Sequence, residues 1–355
     1  MARRQQYIFS EEPREGRRFL LGTAVVLFLL LTALFTWNLT MNNTVTYTKE
    51  YVTIANLPKE LENWTILHLS DLNGADLGNR QSAVRTAIGT RSYSCIVLSG
   101  NMVGQSGDVQ PLLDLVSILP QGTPVLLLPG DDDPPLYNLT GTGAGAIYAD
   151  WALALQAAGV TILDEPIAFQ REKKTIWFVP EHLYTLNIEG TLTAYQNQLD
   201  TLNAQVEALT PEQEGQKRNA LYQVERMQRI LEKINSMREE DIQVAVSHIP
   251  LTRQSVMEAR LYADARKAFT FGHVSLVLAG GYCAGQWRIP GVGAVYVPEL
   301  GFFPQDAQIT GMGYLGGVWQ HISPGLGPSG LYPWMPFRLF NSPGATMLVL
   351  TSSVY

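Results

Sequence analysis

Cysteine is nearly absent: Cys95 and Cys283 are the two in 355 residues. Two thiols cannot frame a fold of this size, which excludes a disulfide-built module and leaves stability to an apolar core. Cys95 lies in the run Cys95-Ile96-Val97-Leu98 and reads as a buried small hydrophobe. Charge is sparse as well, at 16% of residues with a net charge of −7 and no basic block. An acidic chain of this kind has no electrostatic footprint for phosphate backbones, so nucleic-acid binding is excluded. Histidine is scarce too: of the five, only His248 stands in a recognisable strand-end motif. His68, three positions before Asp71 in a strand, points to the opposite face, and His182, His273 and His321 read as structural or exposed.

What is present is 46% hydrophobic residues, with one run long enough to leave water altogether. Phe19 to Trp37 carries no charge and as a helix covers roughly 30 Å of hydrocarbon. Arg14, Arg17 and Arg18, with Arg3 and Arg4 beyond, flank one end and Trp37 the other. The positive-inside rule then puts a tail at 1–18 in the cytoplasm and the rest outside. A cleaved signal peptide competes, but the apolar run is too long and no small-x-small site follows it. A single-pass cell-membrane anchor is expected, with a polar stalk at 38–49 and one external domain at 50–355. The tail has five Arg against three Glu, so the external part is more acidic than the whole chain.

Past the stalk, apolar β-rich runs alternate with helical stretches. The runs are 64–69, 95–98, 125–128, 242–246 and 276–278; the helices fall at about 79–89, 108–119, 147–158 and 252–268. Continuous apolar strands alternating with helices specify an α/β domain whose strands are buried on both faces. Ligands in such sheets bind beyond the C-terminal strand ends. There stand Ser70-Asp71-Leu72-Asn73, Ser99-Gly100-Asn101, Gly130-Asp131-Asp132-Asp133, Ser247-His248 and Gly280-Gly281-Tyr282-Cys283. Each sets a polar residue beside a small one, and together they outline a pocket. Trp287, Tyr296, Phe302, Phe303 and Trp334 follow as core residues, or as an apolar rim suited to a lipid-like ligand.

Residues 191–238 break this rhythm. Leu192, Tyr195, Leu199, Leu202, Val206 and Leu209 recur at spacings of three and four, a heptad seam. Thr210-Pro211-Glu212-Gln213 restarts the helix as a capping box, and Leu221, Val224, Leu231 and Ile234 supply a second face. A helical hairpin is predicted. Its seams either pack on each other alone, or form an arm for a protein partner or self-association.

The five strand ends, in order, resemble the motifs of the calcineurin-like metallophosphoesterases, in their membrane-anchored subgroup. The family's LSDLHG is similar to Leu69-Ser70-Asp71-Leu72-Asn73-Gly74, TGD to Ser99-Gly100-Asn101, and GNHD to Gly130-Asp131-Asp132-Asp133. SHxP stands intact as Ser247-His248-Ile249-Pro250. The stretch Leu276 to Pro304 resembles the subgroup's LVLSGHTHGGQ, RLP, GAVYVP and GFFP, with Gly281 and Cys283 where the family has histidines. Ser323-Pro324-Gly325-Leu326-Gly327 and Phe337 to Pro343 resemble its closing SRGLG and RLFNRPE, Pro324 replacing an arginine. The resemblance implies a layered αββα sandwich with the hairpin inserted.

It implies a two-metal hydrolase only in outline. Of the family's seven ligand positions, here Asp71, Asn73, Asn101, Asp131, His248, Gly281 and Cys283, only Asp71 and His248 keep their residue type. Two divalent ions about 3.5–4 Å apart need a bridging anion, which Asn101 cannot supply. Asp132 replaces the histidine that assists the leaving group. The expectation is a binding or scaffolding protein with vestigial ligands and no cofactor. The alternative keeps one divalent ion: zinc on Asp71, Asp131, His248 and Cys283, calcium or magnesium on the carboxylates, or manganese, with residual hydrolysis of an envelope lipid or nucleotide-like phosphoester.

Overall fold

The computed structural model describes residues 14–138, 147–205, 209–261, 268–305, 308–330 and 337–353. Arg3, Arg4, Val206, Trp334 and the 262–267 end of the fourth expected helix lie outside the described residues.

The apolar run forms α1 (Arg14–Asn42), with no part of its apolar window buried. It is long and apolar enough to cross a membrane, by length and composition. The expected stalk is not a stalk. Residues 38–42 continue the helix, and 46–49 open a strand, β1 (Thr46–Thr53), so the domain starts earlier than residue 50. The polar Thr and Asn residues there read as linker, but Thr suits an edge strand, and β1 pairs in parallel with β15 (Gly344–Thr351).

The first six-stranded sheet runs β1, β15, β2 (Thr65–Leu69), β3 (Cys95–Ser99), β4 (Val125–Leu128), β5 (Val160–Ile162). The second runs β13 (Gly311–Leu315), β14 (Val318–Ile322), β9 (Val274–Ala279), β8 (Ile242–Ser247), β7 (Lys174–Pro180), β6 (Ile167–Arg171). Strands β2 to β5 are mutually parallel, as are β7, β8, β9 and β14. The α/β expectation thus holds in its general form. A third, three-stranded sheet comprises β10 (Trp287–Ile289), β11 (Gly293–Val297) and β12 (Gly301–Phe302).

Side-chain alternation sorts the core into layers. Ile66, Val97, Leu126 and Leu348 of the first sheet share one apolar cluster with Phe178, Val244, Val246 and Leu276 of the second. On the other face of the first sheet, Leu67, Leu98 and Leu127 pack under α2 (Ser82–Ile88), α3 (Gln110–Ile118) and α4 (Asp150–Ala157). On the outer face of the second, Trp177, Val179 and Val277 pack under α5 (Ile188–Asn203), α6 (Pro211–Ser236) and α7 (Arg253–Leu261).

The hairpin of α5 and α6 is not a free-standing arm. Met227 and Ile230 of α6 enter the cluster over the second sheet. Asp164, just beyond β5, accepts from the hydroxyls of Tyr137, Tyr148 and Tyr222 at 2.8, 2.9 and 3.2 Å and pairs with Arg226. Glu165 pairs with Arg229 and Lys233 at 3.2 and 2.9 Å. The capping box forms as expected, Thr210 and Gln213 each accepting the other's backbone N–H. Of the expected second face, Val224 is buried and Leu231 and Ile234 pack on the cluster over the second sheet, joined there by Met227 and Ile230, while Leu221 is 51% exposed.

Candidate functional site

The five loops predicted to line a pocket do meet, held together by main-chain bonds. Asp71 N–H donates to the Gly100 carbonyl at 3.0 Å, Asn73 N–H to Asn101 at 2.8 Å, and Gly280 N–H to His248 at 2.9 Å. The third loop joins through Asp132 N–H, which donates to Asn101 Oδ1 at 2.9 Å. The closing segment adds Leu326 N–H to Ser70 O at 2.9 Å. Parallel strands all deliver their C-terminal ends to one edge, so residues over 200 positions apart become neighbours.

The turns are strained at the positions that matter. Asp71, Asn73, Asn101 and Cys283 have φ of 51, 49, 52 and 47°, and Gly281 has 81°. Left-handed backbone is uncommon for non-glycine residues and clusters at functional sites. Asn and Asp tolerate it because their short polar side chains bond locally; cysteine has no such compensation. Gly100, at φ 88°, lies under the His248 imidazole, where a Cβ would stand 2.1 Å from Nδ1. Gly100→Ala is therefore expected to cost about 3 kcal/mol and displace His248, read as a lowered urea midpoint with a shifted His248 imidazole resonance.

Asp71 is fully buried, and its carboxylate is used inside the protein. Oδ2 accepts from Ser70 Oγ at 2.5 Å, and Gly281 N–H donates to both oxygens at 3.0 and 3.1 Å. Burial pushes this carboxyl above its ordinary range; the charge of His248, these donors and Arg338 oppose the shift. Cys283 is also fully buried, and desolvation with the Asp71 charge drives its thiol well above the usual value. It stays a protonated thiol, the poorer metal ligand. Arg338, 3% exposed, donates to the carbonyls of Gly327, Pro324, Asn341 and Ser342 at 2.9, 2.9, 3.1 and 3.3 Å. Asn341 in turn donates to Cys283 O and Gly285 O. The buried guanidinium joins 324–327 to 341–342, and the Asn341 amide joins that segment to the loop that carries Gly281 and Cys283.

In the acidic triplet, Asp133 does the structural task. Its carboxylate accepts from the N–H groups of Val103, Gly104, Gly130 and Met102 at 2.7, 2.9, 2.9 and 3.3 Å. Asp132 accepts from Gln105 Nε2 at 2.7 Å at the exposed rim. Asp131 and His248 line a cavity of about 470 Å³ together with Tyr137, Glu181, His182 and Arg226. Sequence reading passed over Glu181 and Arg226 and took His182 as structural or exposed; Glu181 and His182 stand in the helical turn just past β7, Arg226 on α6, and none carries a motif.

No family model matches the chain, and no curated protein matches it. Among solved structures it is similar to the phosphopantetheinyl hydrolase (PptH) from Mycobacterium tuberculosis, at 14% identity and a TM-score of 0.35, over 75% of this chain and 91% of that one. A likeness this distant assigns no residue a role.

The donor set does not fit the two-metal centre that the motifs imply. Gly281 offers no side chain, and its N–H occupies the Asp71 carboxylate. Asn101 Oδ1 already accepts from the Asp132 N–H, and as a neutral amide it supplies no bridging charge. Among the described residues, no three His, Cys, Asp or Glu side chains converge as a ligand set, including Asp71, Asp131, His248 and Cys283. Two groups are left over: both amide atoms of Asn73 and His248 Nδ1 are buried without a protein partner.

Proposed function

We propose that this chain is a membrane-anchored protein of the phosphoesterase-like layered fold, an αββα sandwich whose strand-end site binds a ligand or partner instead of hydrolysing a phosphoester. One observation carries the reading. Asp71, the acidic ligand position that keeps its residue type, spends both oxygens on Ser70 and Gly281 inside the protein. A carboxylate so engaged ties two loops together, with three of its roughly four acceptor positions filled from inside the protein. The Asn73 amide and His248 Nδ1, with the 470 Å³ cavity bordered by His248, supply polar groups for a bound molecule. The largely exposed α5 is the surface suited to a protein partner.

The test uses the full chain in detergent, with bound metal measured by mass spectrometry and a generic phosphodiester assayed with manganese. The expected result is substoichiometric metal and no turnover above the Asp71→Asn variant. Stoichiometric metal with turnover that Asp71→Asn abolishes would establish the hydrolase reading instead. Restoring the family residues should not rescue activity cheaply, because a histidine at Gly281 must adopt φ near 81° with its Cβ 3.2 Å from His248 O.

A further inference from the structure

The three-stranded sheet and the C-terminal end of α1 share one apolar surface. The Trp37 ring lies 5.4 Å from that of Phe340. Asn38 Oδ1 accepts from Phe340 N–H at 2.7 Å, and Asn42 Nδ2 donates to Arg338 O at 2.7 Å. The helix therefore ends docked on residues 338–340. That segment continues into the small sheet: Arg288 N–H donates to Leu339 O at 2.9 Å, and Trp287 stacks on Phe337 at 5.3 Å. Trp287 also meets Phe302, which adjoins Phe303.

The outer face of this sheet is apolar and open. Val292 is 75% exposed, Phe303 66% and Phe302 50%, with Ile289, Phe337 and Leu300 also exposed. A group of large apolar side chains exposed together on a surface marks an interaction face. Of the charged residues on its strands and turns, Arg288 folds back onto Ala284 O, and Glu299 lies on the turn between β11 and β12.

We propose that this face is a second membrane contact, with β10–β12 seated in the interfacial region of the leaflet where α1 emerges. The occupant follows from continuity: Trp37, an aromatic at the end of the apolar helix, sits at headgroup level, and the patch begins one ring away. Amphipathic apolar surfaces bind roughly 5–10 Å into that boundary. The domain would then lie against the bilayer instead of standing off it on a stalk. The inference rests on α1 spanning the membrane.

Both native cysteines are buried, so a single engineered thiol can be labelled selectively. Val292→Cys carries an environment-sensitive fluorophore in the full chain, reconstituted in phosphatidylcholine–phosphatidylglycerol vesicles. Glu172→Cys, in the turn between β6 and β7 at the far end of the strands from the site, is the reference. A carbonate wash followed by flotation reports on α1 alone. The expected result is a chain that stays with the vesicles, with the 292 label quenched by doxyl lipid and about threefold less by iodide than the 172 label. Adding Phe302→Asp and Phe303→Asp should return the 292 label to the reference behaviour without releasing the chain. A 292 label as open to iodide as the reference would overturn the second contact while leaving the anchor intact. One shielded from both quenchers would overturn it in favour of a protein partner. Loss of the chain on washing would overturn the anchor itself.

Discussion

Replacing Arg338 by leucine is expected to lower the unfolding free energy by about 4 kcal/mol, the largest single-residue effect outside the apolar core. Arg338 is 3% exposed and its guanidinium satisfies four carbonyls in two segments of chain, 324–327 and 341–342. A hydrogen bond to a charged group contributes about 1.5–3 kcal/mol, and each buried carbonyl left unpaired costs about 1–3 kcal/mol. Burial itself opposes the charge and depresses the Arg338 pKa, while the Asp71 carboxylate favours it. Removing one partner from a buried charged cluster typically costs 3–5 kcal/mol, since the rest cannot move into water. Urea unfolding followed by tryptophan fluorescence in detergent measures the loss. Arg338→Lys keeps the charge but not the planar fork, so it should fall between the parent and the leucine variant. In a cycle with Asp71→Asn, the double variant should lose less than the sum of the singles. A leucine variant within about 1 kcal/mol of the parent would mean that the carbonyls find other partners and that the closing motif does not depend on this residue.

Arg338 also shows what the sequence makes legible. Its motif could be read, as could the five strand ends, because buried parallel strands leave uninterrupted apolar runs and a polar residue at each C-terminal end. The 125–128 run matches β4, and 95–98 falls one residue short of β3. The buried β7 and β15 escaped reading all the same, and most of the other missed strands are of other kinds. β1 and β6 alternate or are largely exposed, β5 has three residues, and the three-stranded sheet is short and glycine-broken. Phe302 and Phe303 expose half or more of their surface, where aromatic content alone read them as core or rim. On α6 the expected Val224, Leu231 and Ile234 turn inward, but Met227 and Ile230, the most deeply buried of that face, were not picked out because they meet a sheet formed by distant strands. At the site, residue identities told which loops meet. They could not tell that Gly281 donates its N–H to Asp71, because that contact depends on a backbone turn and not on a side chain.

The second large effect concerns two histidines that read as incidental. His68 on β2 and His321 on β14 meet between the two main sheets, their Nδ1 atoms 2.7 Å apart, and His68 Nε2 lies 2.7 Å from Ser99 Oγ. Both are 0% exposed. Desolvation lowers His321 to about 3 and His68 well below the ordinary value, with His321 adding to the latter shift. The tautomers explain the pairing: one Nδ1 must donate and the other accept, so a single extra proton leaves the bond intact, whereas a second sets two donors against each other. Since folding lowers both pKa values, their contribution to stability is fully present above about 6.5. It is lost as pH falls from there toward the folded values, because the unfolded chain takes up protons that the native core refuses. Each such histidine contributes about 1.4 kcal/mol per pH unit, so moving from pH 6.5 to 5 should cost about 3 kcal/mol for the pair. Asp71, raised by burial, acts in the opposite sense, stabilising at low pH and losing that contribution as pH rises through its folded value. His321→Gln keeps an amide to meet His68 and titrates nothing. It should roughly halve the slope of the urea midpoint against pH between 6.5 and 5. An unaltered slope in His321→Gln would show that water reaches the pair and that the two sheets are not sealed where their strands approach the site.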